Sequence, residues 1–211
     1  TLAATPKGLV RIGFHDEYVY DDLAEPIAAE KNDAVQRGLD VFSRMVHYRP
    51  DVIESMLSRA SRRGADAMIL TEHNTLSHAR DPRLPEGRGR TRLYRNATEW
   101  TSWRGAGHAL LLGVKTSLRP KNSRVTKPDD LVEVAKRARW QGGLTIVAHP
   151  TTPGSPWSKA LPKVDGVEVI SSWPFVRRKA ESLWHDALKK GWQMAAISGA
   201  DWHGTDGPPL L

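Results

Sequence analysis

Gly64-Ala65-Asp66-Ala67-Met68-Ile69-Leu70-Thr71-Glu72-His73-Asn74-Thr75 is where the fold becomes readable. The compact apolar run over 67–71 reads as a strand that delivers Glu72, His73 and Asn74 at its end. Ahead of it, Pro50 suits a first helical turn. Val52, Ile53, Met56, Leu57 and Ala60 then recur at helical spacing until Arg63-Gly64 stops them. The same grammar returns downstream, with a helix over 130–140, a stop at Gly142-Gly143 and a strand over 144–148 that delivers His149. A further strand over 167–170, a helix over 178–190 closed by Gly191 and a last strand over 194–198 lead into Asp201 and His203. Towards the N-terminus, an apolar run over 8–14 ends at His15. Ile27, Val35, Leu39 and Phe42 mark a mainly helical stretch, read as a helical insertion at about 21–46. Strand and helix in alternation predict an α/β fold with a mainly parallel sheet.

The chain of 211 residues shows no internal repeat, low-complexity tract or dividing linker, so residues 1–211 read as one domain. A chain of this length buries roughly 70% of its unfolded surface and needs no metal to hold it together. Any metal is therefore expected to be functional. The absence of cysteine removes disulfides, thiolate zinc sites and thiol nucleophiles at once, leaving nitrogen and oxygen ligands. Lys and Arg exceed Asp and Glu by 31 to 24, which suits a small anionic substrate. Arg80, Arg83, Arg88, Arg90, Arg92 and Arg95 fall in a Pro- and Gly-punctuated segment that reads as a loop, meeting substrate phosphate or simply solvated. No basic helix or aromatic ribonucleoprotein motif accompanies the charge, so nucleic acid is not the expected partner. No stretch of about 20 apolar residues and no leader pattern is present, so no membrane association is expected. A soluble, cytoplasmic protein is favoured over an exported one, with an upstream segment left open because the chain starts at Thr1. The oligomeric state stays open.

Imidazoles and carboxylates recur just after strands, at His15 and Glu17, His73, His149, and Asp201 and His203, with Glu99 after the segment 93–98. In parallel β/α folds the carboxyl ends of strands converge on one face, where residues distant in sequence meet. One histidine at a strand end is usually a satisfied polar residue. Four such ends in a row favour a shared site, because the cluster would carry unpaired buried charge without a cation. Trp100, Trp103, Trp157, Trp173 and Trp202 flank these segments and either line a pocket or pack the core.

These residues resemble the polymerase and histidinol phosphatase superfamily. The stretch 64–75 is similar to that family's Gly-x-Asp-x-apolar run closing in Thr-Asp-His-Asn, with Glu72 in place of the aspartate. Ala148-His149-Pro150 matches its Ala-His-Pro motif. Asn96-Ala97-Thr98-Glu99-Trp100-Thr101 with Gly107-His108 and Gly113 looks like the segment carrying its bridging glutamate. Gly199-Ala200-Asp201-Trp202-His203 matches its closing Gly-Ser-Asp-x-His, with Ala200 for serine. The matches span 64–204, about two thirds of the chain. The resemblance implies a distorted seven-stranded β/α barrel holding two divalent ions, or three, of Zn, Mn or Fe. The implied ligands are His15, Glu17, His47, His73, Glu99, His149, Asp201 and His203. The family opens with His-x-His where this chain reads Phe14-His15-Asp16-Glu17, so Glu17 replaces an imidazole. No histidine stands near Val114-Lys115, which favours two ions over three. His108 reads as a neighbour of the ligands or a strand-start residue, and His78 and His185 as loop and helix surface.

The implied activity is hydrolysis of a phosphoester. In that reading Glu99 would bridge two cations, a metal-held hydroxide would attack phosphorus, and Asp201 would ligate or shuttle a proton. Trp173, Arg177 and Arg178 are candidates to hold the substrate. The Glu-x-Thr and Gly-His wording also looks like the branch resembling carbaryl hydrolase, which implies an aryl ester or carbamate substrate instead. A non-catalytic binding domain that has lost its metals is a third reading.

The ligand between the first motif and His73 is His47 or Asp22. His47 lies three residues before Pro50, at the start of a helix, whereas Asp22 lies at the far end of a helical excursion that could extend roughly 30 Å. His47→Ala is expected to lower metal content and rate by at least about tenfold, with Asp22→Ala much milder. The opposite order, measured by elemental analysis and turnover, would make His15, Glu17 and Asp22 the first ligand group.

Overall fold

The computed structural model describes residues 9–12, 50–102, 107–118, 128–150, 161, 163–170 and 174–199. The expected insertion at 21–46 lies outside them, as do His15, Glu17, Asp22, His47, Trp103, Trp157, Trp173, Asp201, Trp202 and His203. In chain order the elements are β1 (Leu9–Ile12), α1 (Pro50–Arg62), β2 (Ala67–Leu70), β3 (Glu72–His73), a 3-10 turn (Ser77–Arg80), β4 (Gly87–Arg88), β5 (Thr91–Tyr94), β6 (Ala97–Ser102) and β7 (Gly107–Leu112). They continue with α2 (Pro128–Trp140), β8 (Leu144–Ala148), β9 (Gly166–Ile170), α3 (Pro174–Lys189) and β10 (Ala195–Ser198). Among the described residues no helix is long and apolar enough to cross a membrane.

The helices form and stop for local reasons. α1 carries Asp51 in its first turn and Arg59 and Arg62 in its last, each matching the end of the helix dipole. α2 ends where Gly142 takes a left-handed φ of 83° and Gly143 sends its N–H to the Ala138 carbonyl at 2.9 Å. A Cβ on Gly143 would meet the Leu112 carbonyl at 2.7 Å, so the end of α2 can sit tightly on β7 only as glycine.

The strands make two mixed sheets, ordered β1-β2-β5-β4 and β10-β9-β8-β7-β6-β3. β1, β2 and β5 run parallel with β4 antiparallel at the edge. In the larger sheet β8, β9 and β10 are parallel, as are β3 and β6, but β7 is antiparallel to both its neighbours. The expected seven-stranded barrel is therefore corrected: no closed barrel is found among the described residues, and the sheet is not parallel through its middle. Between β6 and β7 the cause lies in the connection. Parallel neighbours need a crossover of a dozen or more residues, and residues 103–106 between β6 and β7 allow nothing longer than a hairpin. The two sheets remain joined along the chain, because β2 continues through Thr71 into β3, and β5 through Arg95-Asn96 into β6.

Each sheet buries one face under helix. Val52, Ile53, Met56, Leu57 and Ala60 of α1 pack on Met68, Leu70 and Leu93. Ile53, Met56 and Leu57 are almost fully buried, each contributing roughly 1.5–3 kcal/mol relative to exposure. On the larger sheet Trp100, Ala109, Leu111, Val147, Val167 and Val169 form the main core with Leu131, Val134, Ala135 and Ala138 of α2 and Ala187 of α3. Trp100 is thus a core residue, not a pocket wall. The bulk of the apolar burial lies away from the polar cluster described below, so the fold does not depend on a metal.

His78 corrects a second expectation. It is fully buried rather than on a loop surface, with its Nε2 3.1 Å from the Ala97 carbonyl. Desolvation lowers its pKa to about 4, with hydrogen bonds to the Ala97 and Arg95 carbonyls opposing the shift. The unfolded chain binds this proton near 6.5, so the stability tied to a neutral His78 is complete above pH 6.5 and is lost as pH falls towards 4. The gap corresponds to roughly 3 kcal/mol. His78→Gln, neutral throughout, should flatten the fall in urea stability between pH 6.5 and 4.5 relative to the native protein. Parallel pH profiles for the two proteins would show that His78 does not titrate in this way.

Candidate metal centre

Side chains alternate faces along a strand, so register decides which of them meet. β3 and β6 align His73 with Glu99, and β6 and β7 align Thr101 with His108 and Glu99 with Leu110. β7 and β8 align His108 with Ala148 and Leu110 with Ile146. His73, Glu99, Thr101 and His108 therefore share the face of the larger sheet turned away from α2 and α3, beside a small apolar group of Leu110, Ile146 and Ala148.

The result is one compact cluster. Candidate ligand atoms of His73, Glu99 and His108 lie within 4.8 Å of one another. Glu99 is buried at 1% exposure and accepts a hydrogen bond from His108 Nδ1 at 2.8 Å. His149 Nε2 approaches the same Glu99 Oε1 to 3.5 Å. The His108 ring stands nearly perpendicular to those of His73 and His149, with centroids 5.4 and 4.9 Å away. A carboxylate and three imidazoles form a donor set suited to zinc, manganese or iron. Two atoms bound to one such ion at about 2.1 Å sit roughly 3–4 Å apart, so this group needs only small side-chain movements to hold one.

Neighbouring groups orient the ligands. The Thr101 hydroxyl donates to the Glu99 carbonyl at 3.4 Å and is hydrogen-bonded to His73 Nδ1. With the proton on Nδ1, His73 presents the lone pair of Nε2. Asn74, next in the chain, has a left-handed φ of 52°. Its side chain completes the ladder on β6, accepting from Thr101 N and donating to Thr101 O, both at 3.0 Å. His149 is also left-handed, at φ 30°, and its N–H donates to Glu168 Oε2 at 2.9 Å. A left-handed non-glycine residue costs on the order of 1–3 kcal/mol, and two of them bracket this cluster.

Of the residues predicted to be ligands, the described ones, His73, Glu99 and His149, are brought together. Glu99 lies inside β6 rather than after a strand. His108 belongs to the cluster itself. Glu168 escaped notice, although a carboxylate among Val167, Val169 and Ile170 was a visible signal. Arg177 and Arg178 lie in the early turns of α3, which follows the end of β9. His185 is exposed on α3 beside Trp184, as expected.

Part of the arginine-rich segment lies away from this cluster. Arg88 and Arg92 sit in the β4–β5 hairpin, where Arg92 pairs with Ala67 at the start of β2. His73 lies six residues further along, about 20 Å at strand rise. Arg88 is paired with Glu54 at 3.1 Å, Arg83 with Asp81 at 2.6 Å, and Arg90 with Asp66.

No family model matches the chain, and no curated protein does. Among solved structures the chain is similar to PsfC from Pseudomonas syringae, with 16% identity and a TM-score of 0.49, over 71% of this chain and 68% of that one.

His73→Ala and His108→Ala should each cut the zinc or manganese retained after dialysis by at least about tenfold. His185→Ala should retain the native amount, and all three should keep the native circular dichroism spectrum. Undiminished metal in the first two variants would remove the cluster from consideration as a metal centre.

Proposed function

We propose that this protein is a metal-dependent hydrolase acting on phosphoesters. The observation that carries the reading is the grouping of His73, Glu99 and His108 within 4.8 Å, with His149 at 3.5 Å from the same carboxylate. The ordered motifs that resemble the polymerase and histidinol phosphatase superfamily support it. Two ions of zinc, manganese or iron are proposed, with His15, Glu17, His47, Asp201 and His203 completing the ligand set. Bound there, such ions supply a Lewis acid for the scissile group and lower the pKa of water towards neutrality. Glu99, amid three imidazoles, would be among the groups that hold them. The His73 ring is held in place by Thr101 and His149 by its bent backbone, so neither must reorganise when ligand arrives. Asp201 is assigned to proton transfer, and Arg177, Arg178 and Trp173 to holding an anionic or aryl substrate.

A second reading keeps the site and changes the electrophile to an aryl ester or carbamate. The Gly107-His108 and Glu99-Trp100-Thr101 wording supports it, because His108 stands against Glu99. Side-by-side assays of aryl phosphates, phosphodiesters, aryl esters and aryl carbamates with added Mn, Zn or Fe separate the two. Metal-stimulated phosphoester turnover is expected, falling at least about 100-fold in Glu99→Gln. Turnover of esters or carbamates alone would establish the second reading. Tight metal binding with no turnover of any class would make the chain a binding domain and overturn the hydrolase reading.

A further inference from the structure

His149 is in the wrong place for a regular strand. Ala148 pairs with His108 on the ligand-bearing face, so strict alternation would turn His149 to the opposite face, among Val147 and the core. Instead its Nε2 lies 3.5 Å from Glu99 Oε1. The backbone achieves this by taking φ 30° at His149, immediately before Pro150, a position where proline normally forces the preceding residue into extended conformation. Both features oppose this geometry, so something must hold it.

The holding group is on β9. Glu168 faces the same side as the cluster, because Ile146 pairs with Gly166 and Ile197 with Glu168, while Val167 and Val169 face the core. It has no exposed surface, and its Oε2 accepts the N–H of His149 at 2.9 Å. The β8–β9 ladder is last paired at Val147 and Val167, so the Glu168 side chain takes over as acceptor where the backbone of β8 bends away.

We propose that Glu168 is a positioning residue for His149, fixing the bend that turns its imidazole onto Glu99; this inference rests on the reading of the cluster as a metal centre. The acceptor oxygen carries the effect, so glutamine at 168 should serve nearly as well as glutamate. Glu168→Gln and Glu168→Met have similar length, and only the first keeps an acceptor.

The test uses the metal-free full chain, followed by titration with Co(II) alone. Hydrogen exchange of the His149 amide, read by NMR, should accelerate at least about tenfold in Glu168→Met and stay near native in Glu168→Gln. The Co(II) dissociation constant should rise about 10–100-fold in Glu168→Met, with an altered visible spectrum, and change only a few-fold in Glu168→Gln. If Glu168→Met fails to fold, Glu168→Ala takes its place as the variant without an acceptor, and the same contrast with Glu168→Gln decides. A loss in Glu168→Gln as large as in Glu168→Met would overturn it, because negative charge rather than the acceptor would then be required. Native His149 exchange in a folded Glu168→Met would also overturn it. Should the native protein bind no Co(II), the metal-centre reading fails by itself, and the His149 amide still decides whether Glu168 fixes the bend.

Discussion

The Glu99 carboxylate, almost wholly removed from water and ringed by three imidazoles, is the constraint around which the described structure is arranged. An ionised group in such a place is costly unless cations or donors meet it. It gets there by strand register. A slip of one residue in β6 would send Glu99 into the core and bring Trp100 out beside the histidines. The pairing of His73 with Glu99, the doubled hydrogen bonds between Asn74 and Thr101, and the six-rung hairpin with β7 all fix that register. Packing fixes it too, since Trp100 is buried among Leu111, Val134 and Val147.

One sheet thus does two jobs on its two faces. Its apolar face, covered by α2 and α3, holds the fold together. Its other face carries the cluster, with the apolar residues Leu110, Ile146 and Ala148 beside it. Because the core is complete without the cluster, ligand substitutions can be read as chemistry rather than as unfolding. Among the described residues the left-handed non-glycine positions are Asn74 and His149, at the cluster's border, and each is held by bonds to neighbouring strands.

Much of this was legible in the residues. Short apolar runs, each closed by a polar or ionisable residue, located β2, β8, β9 and β10, and the glycine stops located the ends of α1, α2 and α3. Orientation was not legible, because β7 looks like any other apolar strand; only the short connection after Ser102 reveals that it must double back. The histidines show the same limit. His78 and His108 are alike in local sequence character, yet one is sealed against the Ala97 carbonyl and the other meets Glu99. Glu168 was hidden because its partner is the backbone N–H of His149, at the end of the preceding strand and turned by an unusual φ, which no spacing rule encodes. The arginine-rich segment could be read either way from composition. Within it Arg88, Arg90 and Arg83 answer Glu54, Asp66 and Asp81.

The central claim is that the Glu99 cluster holds a divalent ion. An anomalous difference map from crystals of the full chain grown with zinc, collected at the zinc edge, addresses it directly. The account predicts a peak at about 2.0–2.2 Å from side-chain atoms of His73, Glu99 and His108. A map in which zinc occupies only surface histidines such as His185, with no peak at Glu99, would contradict it.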